Sequence, residues 1–130
     1  MKTVILCGGL GTRLAEETDH LPKPMVQIGD KPILSHIINY YSKFNFKQFI
    51  VCSGYKHEKI NNYYKKFENI NIVNTGLHTQ TGARIKKIKS FIDEDENFFM
   101  TYGDGLSNVD LQSLLEFHKK QNKIATLTAV

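Results

Sequence analysis

Short apolar runs alternate along this chain with longer segments in which apolar side chains return every three or four positions. The two periods predict strands alternating with helices. Residues 3–7 (TVILC) form a β-rich run that stops at Gly8 and read as a first buried strand. From Gly8 to Asp30, glycines and prolines break any period, which predicts a loop region. Pro32 then opens a helix whose apolar positions Ile33, Leu34, Ile37, Ile38, Tyr41 and Phe44 keep the helical spacing. Residues 48–53 (QFIVCS) are a second strand, 56–67 a polar, tyrosine-bearing helix, and 70–74 a third strand. A helix is expected over 82–92, with Ile85, Ile88 and Ile92 inward, followed by a fourth strand at 98–102 (FFMTY). Residues 110–122 predict a helix with Leu111, Leu114, Leu115 and His118 on one face, and 125–130 (ATLTAV) a fifth strand.

Strands alternating with helices imply βαβ units and a Rossmann-like, mainly parallel sheet with flanking helices, wound right-handedly. Residues 1–130 read as one such α/β unit, without internal repeat or low-complexity linker. Ligands of these sheets bind beyond the C-terminal strand ends, where both glycine-rich segments of this chain fall. A domain rarely finishes on a bare apolar strand, so the sequence is expected to be incomplete at its C-terminus.

Composition narrows the class. With 41% hydrophobic and 23% charged residues, a packed core is expected and disorder is not. The net charge of +4 is modest; it suits a small anionic substrate and gives little support for nucleic acid. Lys86, Lys87 and Lys89 lie among isoleucines at helical spacing and read as a solvated helix face. Cys7 and Cys52 each sit in a strand-like run, which predicts buried free thiols rather than a disulfide scaffold. No apolar run is long enough to span a bilayer, and the N-terminal stretch lacks the apolar segment of a signal peptide. A cytoplasmic location is the expectation.

Four segments carry chemistry. In Leu6-Cys7-Gly8-Gly9-Leu10-Gly11-Thr12-Arg13-Leu14, glycines after a strand let backbone N–H groups converge on an anion. Arg13 adds a forked, permanently charged donor suited to phosphate oxygens. The segment lacks the Gly-Lys-Ser/Thr of the Walker loop, and Leu14 stands at the third glycine position of the dinucleotide fingerprint. Pro22-Lys23-Pro24-Met25 holds Lys23 in an extended backbone, so that its ammonium can be presented to phosphate. Tyr102-Gly103-Asp104-Gly105 leaves one carboxylate in an open turn at a strand end, a hard oxygen ligand suited to Mg²⁺. In the stretch from Thr75 to Arg84, capping of the next helix by Thr79 or Thr81 competes with contacts to base and ribose.

In this order, the segments resemble the signature of the sugar-nucleotide pyrophosphorylases, nucleotidyltransferases of glycosyltransferase-A-like fold. Within that family the details resemble the glucose-1-phosphate cytidylyltransferases. Stretches such as Lys31-Pro32-Ile33-Leu34, Ser53-Gly54-Tyr55-Lys56 and Thr79-Gln80-Thr81-Gly82-Ala83-Arg84 carry that likeness, which covers essentially the whole chain. It implies that Leu6, Cys7, Gly8 and Gly9 lie near the base and that Gly11, Thr12 and Arg13, next to Leu10, lie near the triphosphate. Lys23 would hold phosphate; Thr79, Arg84 and Gly103 would line the nucleotide pocket; Asp104 would ligate Mg²⁺. The implied reaction converts CTP and α-D-glucose 1-phosphate into CDP-glucose and pyrophosphate. Catalysis would rest on positioning and on charge neutralisation by Mg²⁺, Arg13 and Lys23. The resemblance further implies homo-oligomers at full length and a role in polysaccharide biosynthesis. It places a second metal-binding Asp and a sugar-phosphate Lys in a later half beyond these residues.

The chain departs from the cytidylyltransferase pattern in a shorter segment between Tyr64 and Val73 and in Ala83, where a second glycine is usual. That shortening motivates an alternative acceptor, another phosphorylated small molecule, with CTP or another nucleoside triphosphate as donor. A non-catalytic nucleotide-binding module is a reading from a different class; intact Arg13, Lys23 and Asp104 argue against it. An NAD-binding domain is disfavoured by Leu14 and by Cys52-Ser53, where an acidic residue would end the second strand.

Overall fold

The computed structural model of the protein describes residues 1–10, 20–92 and 97–129. Its first strand, β1 (Lys2–Cys7), is buried from Thr3 onward and runs between two parallel partners. After it come a 3₁₀ turn at Lys23–Met25 and a small antiparallel ribbon of β2 (Gln27–Ile28) and β3 (Lys31–Pro32). The ribbon turns on Gly29, whose φ of 67° is one that glycine adopts without strain. The elements then alternate: α1 (Ile33–Lys43), β4 (Gln48–Ser53), α2 (His57–Tyr64), β5 (Ile70–Asn74), α3 (Thr81–Lys87), β6 (Phe99–Tyr102) and α4 (Leu111–Gln121). The main sheet has the order β5-β4-β1-β6 with every pair parallel. This is the Rossmann-like α/β arrangement that the periodicity predicts.

Alternation along β1 and β4 divides the core into two faces. Ile5, Cys7, Phe49 and Val51 meet Leu34, Ile37 and Ile38 of α1 and Ile60 and Tyr64 of α2. The Ser35 hydroxyl and the Tyr64 phenol close this side with a 2.6 Å hydrogen bond. On the other face Val4, Leu6, Ile50 and Cys52 pack against Ile88, flanked by Ile85 and Ile92. Each fully buried aliphatic side chain contributes about 1.5–3 kcal/mol relative to exposure. That cover does not extend over the edge strand β6, where Met100 and Tyr102 remain exposed. Among the described residues no helix is long and apolar enough to cross a membrane.

Several boundaries differ from expectation. The helix predicted over 82–92 starts at Thr81, stops at Lys87 and continues as a 3₁₀ turn over Lys89–Phe91. The Ile88 amide donates to Ile85 O at 3.2 Å, an i−3 bond that tightens the chain. Lys56 takes a φ of 47° and so precedes α2 rather than starting it. Asp110 caps α4 by accepting from Ser113 N at 2.9 Å, and Asn122, with a φ of 48°, ends it. The fifth strand expected at 125–130 is absent over 125–129; Val130 lies outside the described residues. Apolar sequence does not make a strand without a partner for its N–H and C=O groups, and Leu127 is left 86% exposed.

Candidate functional site

A cavity of about 360 Å³ opens at the C-terminal ends of β1 and β6. Its walls come from the residues closing β1, the turn at Lys23–Met25, the segment leading into α3 and the turn after β6. Four separate stretches of sequence therefore converge, as expected where ligands bind open α/β sheets.

The floor is built on close backbone approach. Gly8 O accepts from Tyr55 N at 3.3 Å and from Arg84 Nη2 at 3.0 Å. A Cβ on Gly8 would run into the Arg84 guanidinium and force it to shift from the carbonyls it binds. Gly103 donates its amide to Leu6 O at 2.9 Å, tying the turn after β6 to β1. A Cβ on Gly103 would meet Cys7 Sγ and come within 3.1 Å of Pro24 Cγ.

Arg84, 5% exposed, gathers the strand ends. Its Nη1 donates to Thr75 Oγ1 (2.6 Å), Gly76 O (2.7 Å) and Ser53 O (3.3 Å). Its Nη2 reaches Leu77 O at 3.3 Å besides Gly8 O. Burial pulls the guanidinium below its ordinary pKa, and the five accepting oxygens compensate for lost water. Buried Thr75 completes the network by donating to Ser53 O at 2.7 Å. Burial also pushes the Cys7 thiol well up and that of Cys52 up to about 11, so both are protonated near neutral pH. Both are free and buried, as the sequence predicts.

Lys23 and Asp104 face each other across this cavity. The Lys23 ammonium forms an ion pair with Asp104 Oδ2, each side chain about one-third exposed. Lys23 starts the 3₁₀ turn, pinned by Met25 N donating to Pro22 O at 2.7 Å. Among the described residues no three His, Cys, Asp or Glu side chains converge to hold a metal ion. Among the described residues lining the cavity Asp104 is the one carboxylate, a donor that fits Mg²⁺ when phosphate oxygens and water complete its shell.

The structure brings Leu6, Cys7, Gly8, Gly9, Lys23, Thr79, Arg84, Gly103 and Asp104 together on this cavity. Leu10 does not line it and is 44% exposed. Gly11, Thr12, Arg13 and Leu14 lie outside the described residues. Thr79 does not cap α3: its hydroxyl donates to Thr75 O at 2.6 Å, and the N-cap is Gln80, without a side-chain bond. Thr79 is also held by Lys87, whose Nζ lies 3.1 Å from its hydroxyl and 2.7 Å from Thr75 O. Sequence reasoning missed Pro24 as a lining residue, although its proline-flanked lysine was the available signal, and it missed the carbonyl cage around Arg84.

A family profile described as "Nucleotidyl transferase" matches residues 2–130. Glucose-1-phosphate cytidylyltransferase from Salmonella typhimurium is 44% identical over 154 residues, covering 99% of this chain and 60% of that protein. For a chain of 130 residues, that alignment leaves about 25 positions of the relative without a counterpart. D-glycero-alpha-D-manno-heptose 1-phosphate guanylyltransferase from Aneurinibacillus thermoaerophilus is 40% identical over 122 residues, covering 91% of this chain and 52% of that protein. A crystal structure of HddC from Yersinia pseudotuberculosis complexed with GMP-PN superposes with a TM-score of 0.77 at 29% identity, covering 90% of this chain and 53% of that one. The chain thus spans about half to three-fifths of the length of these relatives.

Proposed function

The chain belongs to the nucleotidyl transferase family, and from that premise we propose that it carries the nucleotide-binding part of an enzyme making CDP-glucose and pyrophosphate from CTP and α-D-glucose 1-phosphate. One observation carries the reading: an ammonium and a carboxylate, Lys23 and Asp104, meet beside a glycine turn at the C-terminal ends of β1 and β6. The 44% identity to a glucose-1-phosphate cytidylyltransferase supports the choice of CTP and glucose 1-phosphate.

In this reaction a phosphate oxygen of the sugar phosphate attacks the α-phosphorus of CTP. The bond from that phosphorus to the bridging oxygen breaks, and pyrophosphate leaves. No covalent nucleotidyl-enzyme intermediate is needed, so the protein contributes position and charge. The rigid floor of Gly8, Gly9 and Gly103 offers backbone close to the ligand. Lys23 binds phosphate oxygens and offsets the charge that accumulates on the departing pyrophosphate. Thr79 and the edge of Arg84 bound the side where the nucleoside would lie. Gly11, Thr12 and Arg13 supply the triphosphate contacts that their motif implies. Asp104 would hold Mg²⁺, which neutralises polyphosphate charge when bound.

A second reading, transfer of another nucleotide to another sugar phosphate, has its own support. The heptose 1-phosphate guanylyltransferase aligns over 122 positions with 91% of the chain, leaving only about four of them unmatched. Over the aligned region this chain is therefore closer in length to that relative than to the cytidylyltransferase.

Pyrophosphate release, measured with Mg²⁺ and glucose 1-phosphate across CTP, UTP, GTP, ATP and dTTP, separates the readings. It is run on this chain and on any longer product of the same reading frame. Turnover with CTP, lowered about a hundredfold or more in Asp104→Ala, is the expected result. Preference for GTP moves the assignment to the second reading. Silence with every nucleotide withdraws the first reading and leaves a different acceptor or a module that binds without catalysing.

A further inference from the structure

We propose that Lys23 and Asp104 block one another, so that the site takes a divalent cation and a polyphosphate together, as one complex, and resists either alone. The inference rests on the nucleotidyl-transfer reading of this cavity and adds how its ligands must arrive.

The two groups come from distant stretches of the chain and are held independently. Lys23 is fixed by the proline-flanked 3₁₀ turn, and Asp104 by the bond from Gly103 N to Leu6 O. Their side chains pair over the cavity that both line. A lone divalent cation approaching Asp104 finds one carboxylate oxygen already engaged and meets the Lys23 ammonium at close range. A lone polyphosphate approaching Lys23 meets the carboxylate. In each case binding breaks an ion pair and sets like charges side by side.

The complex avoids both penalties. Lys23 exchanges a carboxylate for a phosphate oxygen, Asp104 exchanges an ammonium for the cation, and the cation bridges to the phosphate. Neither charge is left without a partner at the end. Because each side chain is about one-third exposed, solvent screens the pair and keeps it weak enough to be exchanged. Arg84, the other cation lining this cavity among the described residues, cannot replace Lys23 as the partner of Asp104, because its donors are committed to Gly8, Ser53, Thr75, Gly76 and Leu77.

Direct binding tests the block without turnover. Mn²⁺ affinity is read by electron paramagnetic resonance with no nucleotide present, and inorganic tripolyphosphate affinity by calorimetry in EDTA. Lys23→Gln is expected to tighten Mn²⁺ alone by about fivefold, and Asp104→Asn to tighten metal-free tripolyphosphate by about fivefold. Lys23→Arg, which keeps the charge, should retain the wild-type Mn²⁺ affinity. Lys86→Gln, a charge control on the exposed side of α3, should leave both affinities unchanged. Unchanged or weaker Mn²⁺ binding in Lys23→Gln overturns the block, as does an equal gain in Lys86→Gln or a failure of Asp104→Asn to tighten tripolyphosphate. Neither probe contains cytosine or sugar, so loss of the CTP assignment in the pyrophosphate assay would leave this result standing.

Discussion

Arg84 concentrates more of the site's architecture than any other side chain described here. One guanidinium supplies the donors for four backbone carbonyls and the Thr75 hydroxyl in a nearly dry setting. Arg84→Met removes this donor from Gly76 O, Leu77 O and Thr75 Oγ1, while Gly8 O keeps Tyr55 N and Ser53 O keeps Thr75, and should lower unfolding free energy by about 3 kcal/mol, read from urea titration. Arg84→Lys restores the charge without the planar fork and should recover less than half of the loss. The cysteines give a pH dependence of definite sign. Burial holds the Cys52 thiol at about 11, above the 9.0 of an ordinary thiol, so the folded state binds that proton more tightly than the unfolded chain. The stability this provides is present in full below the ordinary thiol range and is lost as pH climbs through the folded value. Buried Cys7 shifts in the same direction and adds to the effect. Urea midpoints should hold steady through neutral pH and fall above roughly pH 9, with a smaller fall in Cys52→Ala.

At the scale of the element, legibility followed the availability of a partner. The runs at 3–7, 48–53, 70–74 and 98–102 became strands because each had a parallel neighbour and a helix or turn to set its place. α1 was readable because Leu34, Ile37 and Ile38 recur on one face and all point into the core. The run at 125–130 has equally apolar letters, but β-propensity describes a fit to a pleated neighbour, and none pairs with it. β2 was hidden inside the expected loop, and β3 lies just after it where Pro32 was expected to open a helix, because two-residue strands carry no period. A pair of substitutions separates these environments. Leu34→Ala, at a fully buried position, should cost about 3 kcal/mol in equilibrium unfolding, whereas Leu127→Ser should change stability by less than about 0.5 kcal/mol. A large loss at Leu127 would return the fifth strand to the fold.

For the molecule as a whole, the site's residue types were legible and its internal wiring was not. Glycines at strand ends, a lysine between prolines and an aspartate between glycines announce a phosphate and metal pocket through local chemistry alone. That Lys23 would pair with Asp104, or that Arg84 would reach back to Gly8, depends on the parallel order β5-β4-β1-β6 and on no local signal. The same wiring couples the loops after β1, β4 and β5 through Arg84, while Gly103 N binds the fourth strand end to Leu6 O. Local unfolding proceeds in cooperative units rather than residue by residue. The amides of Tyr55, Thr75 and Gly103, though far apart in sequence, each bond to a neighbouring strand end, so hydrogen exchange should slow at all three when a ligand stiffens the rim of the sheet.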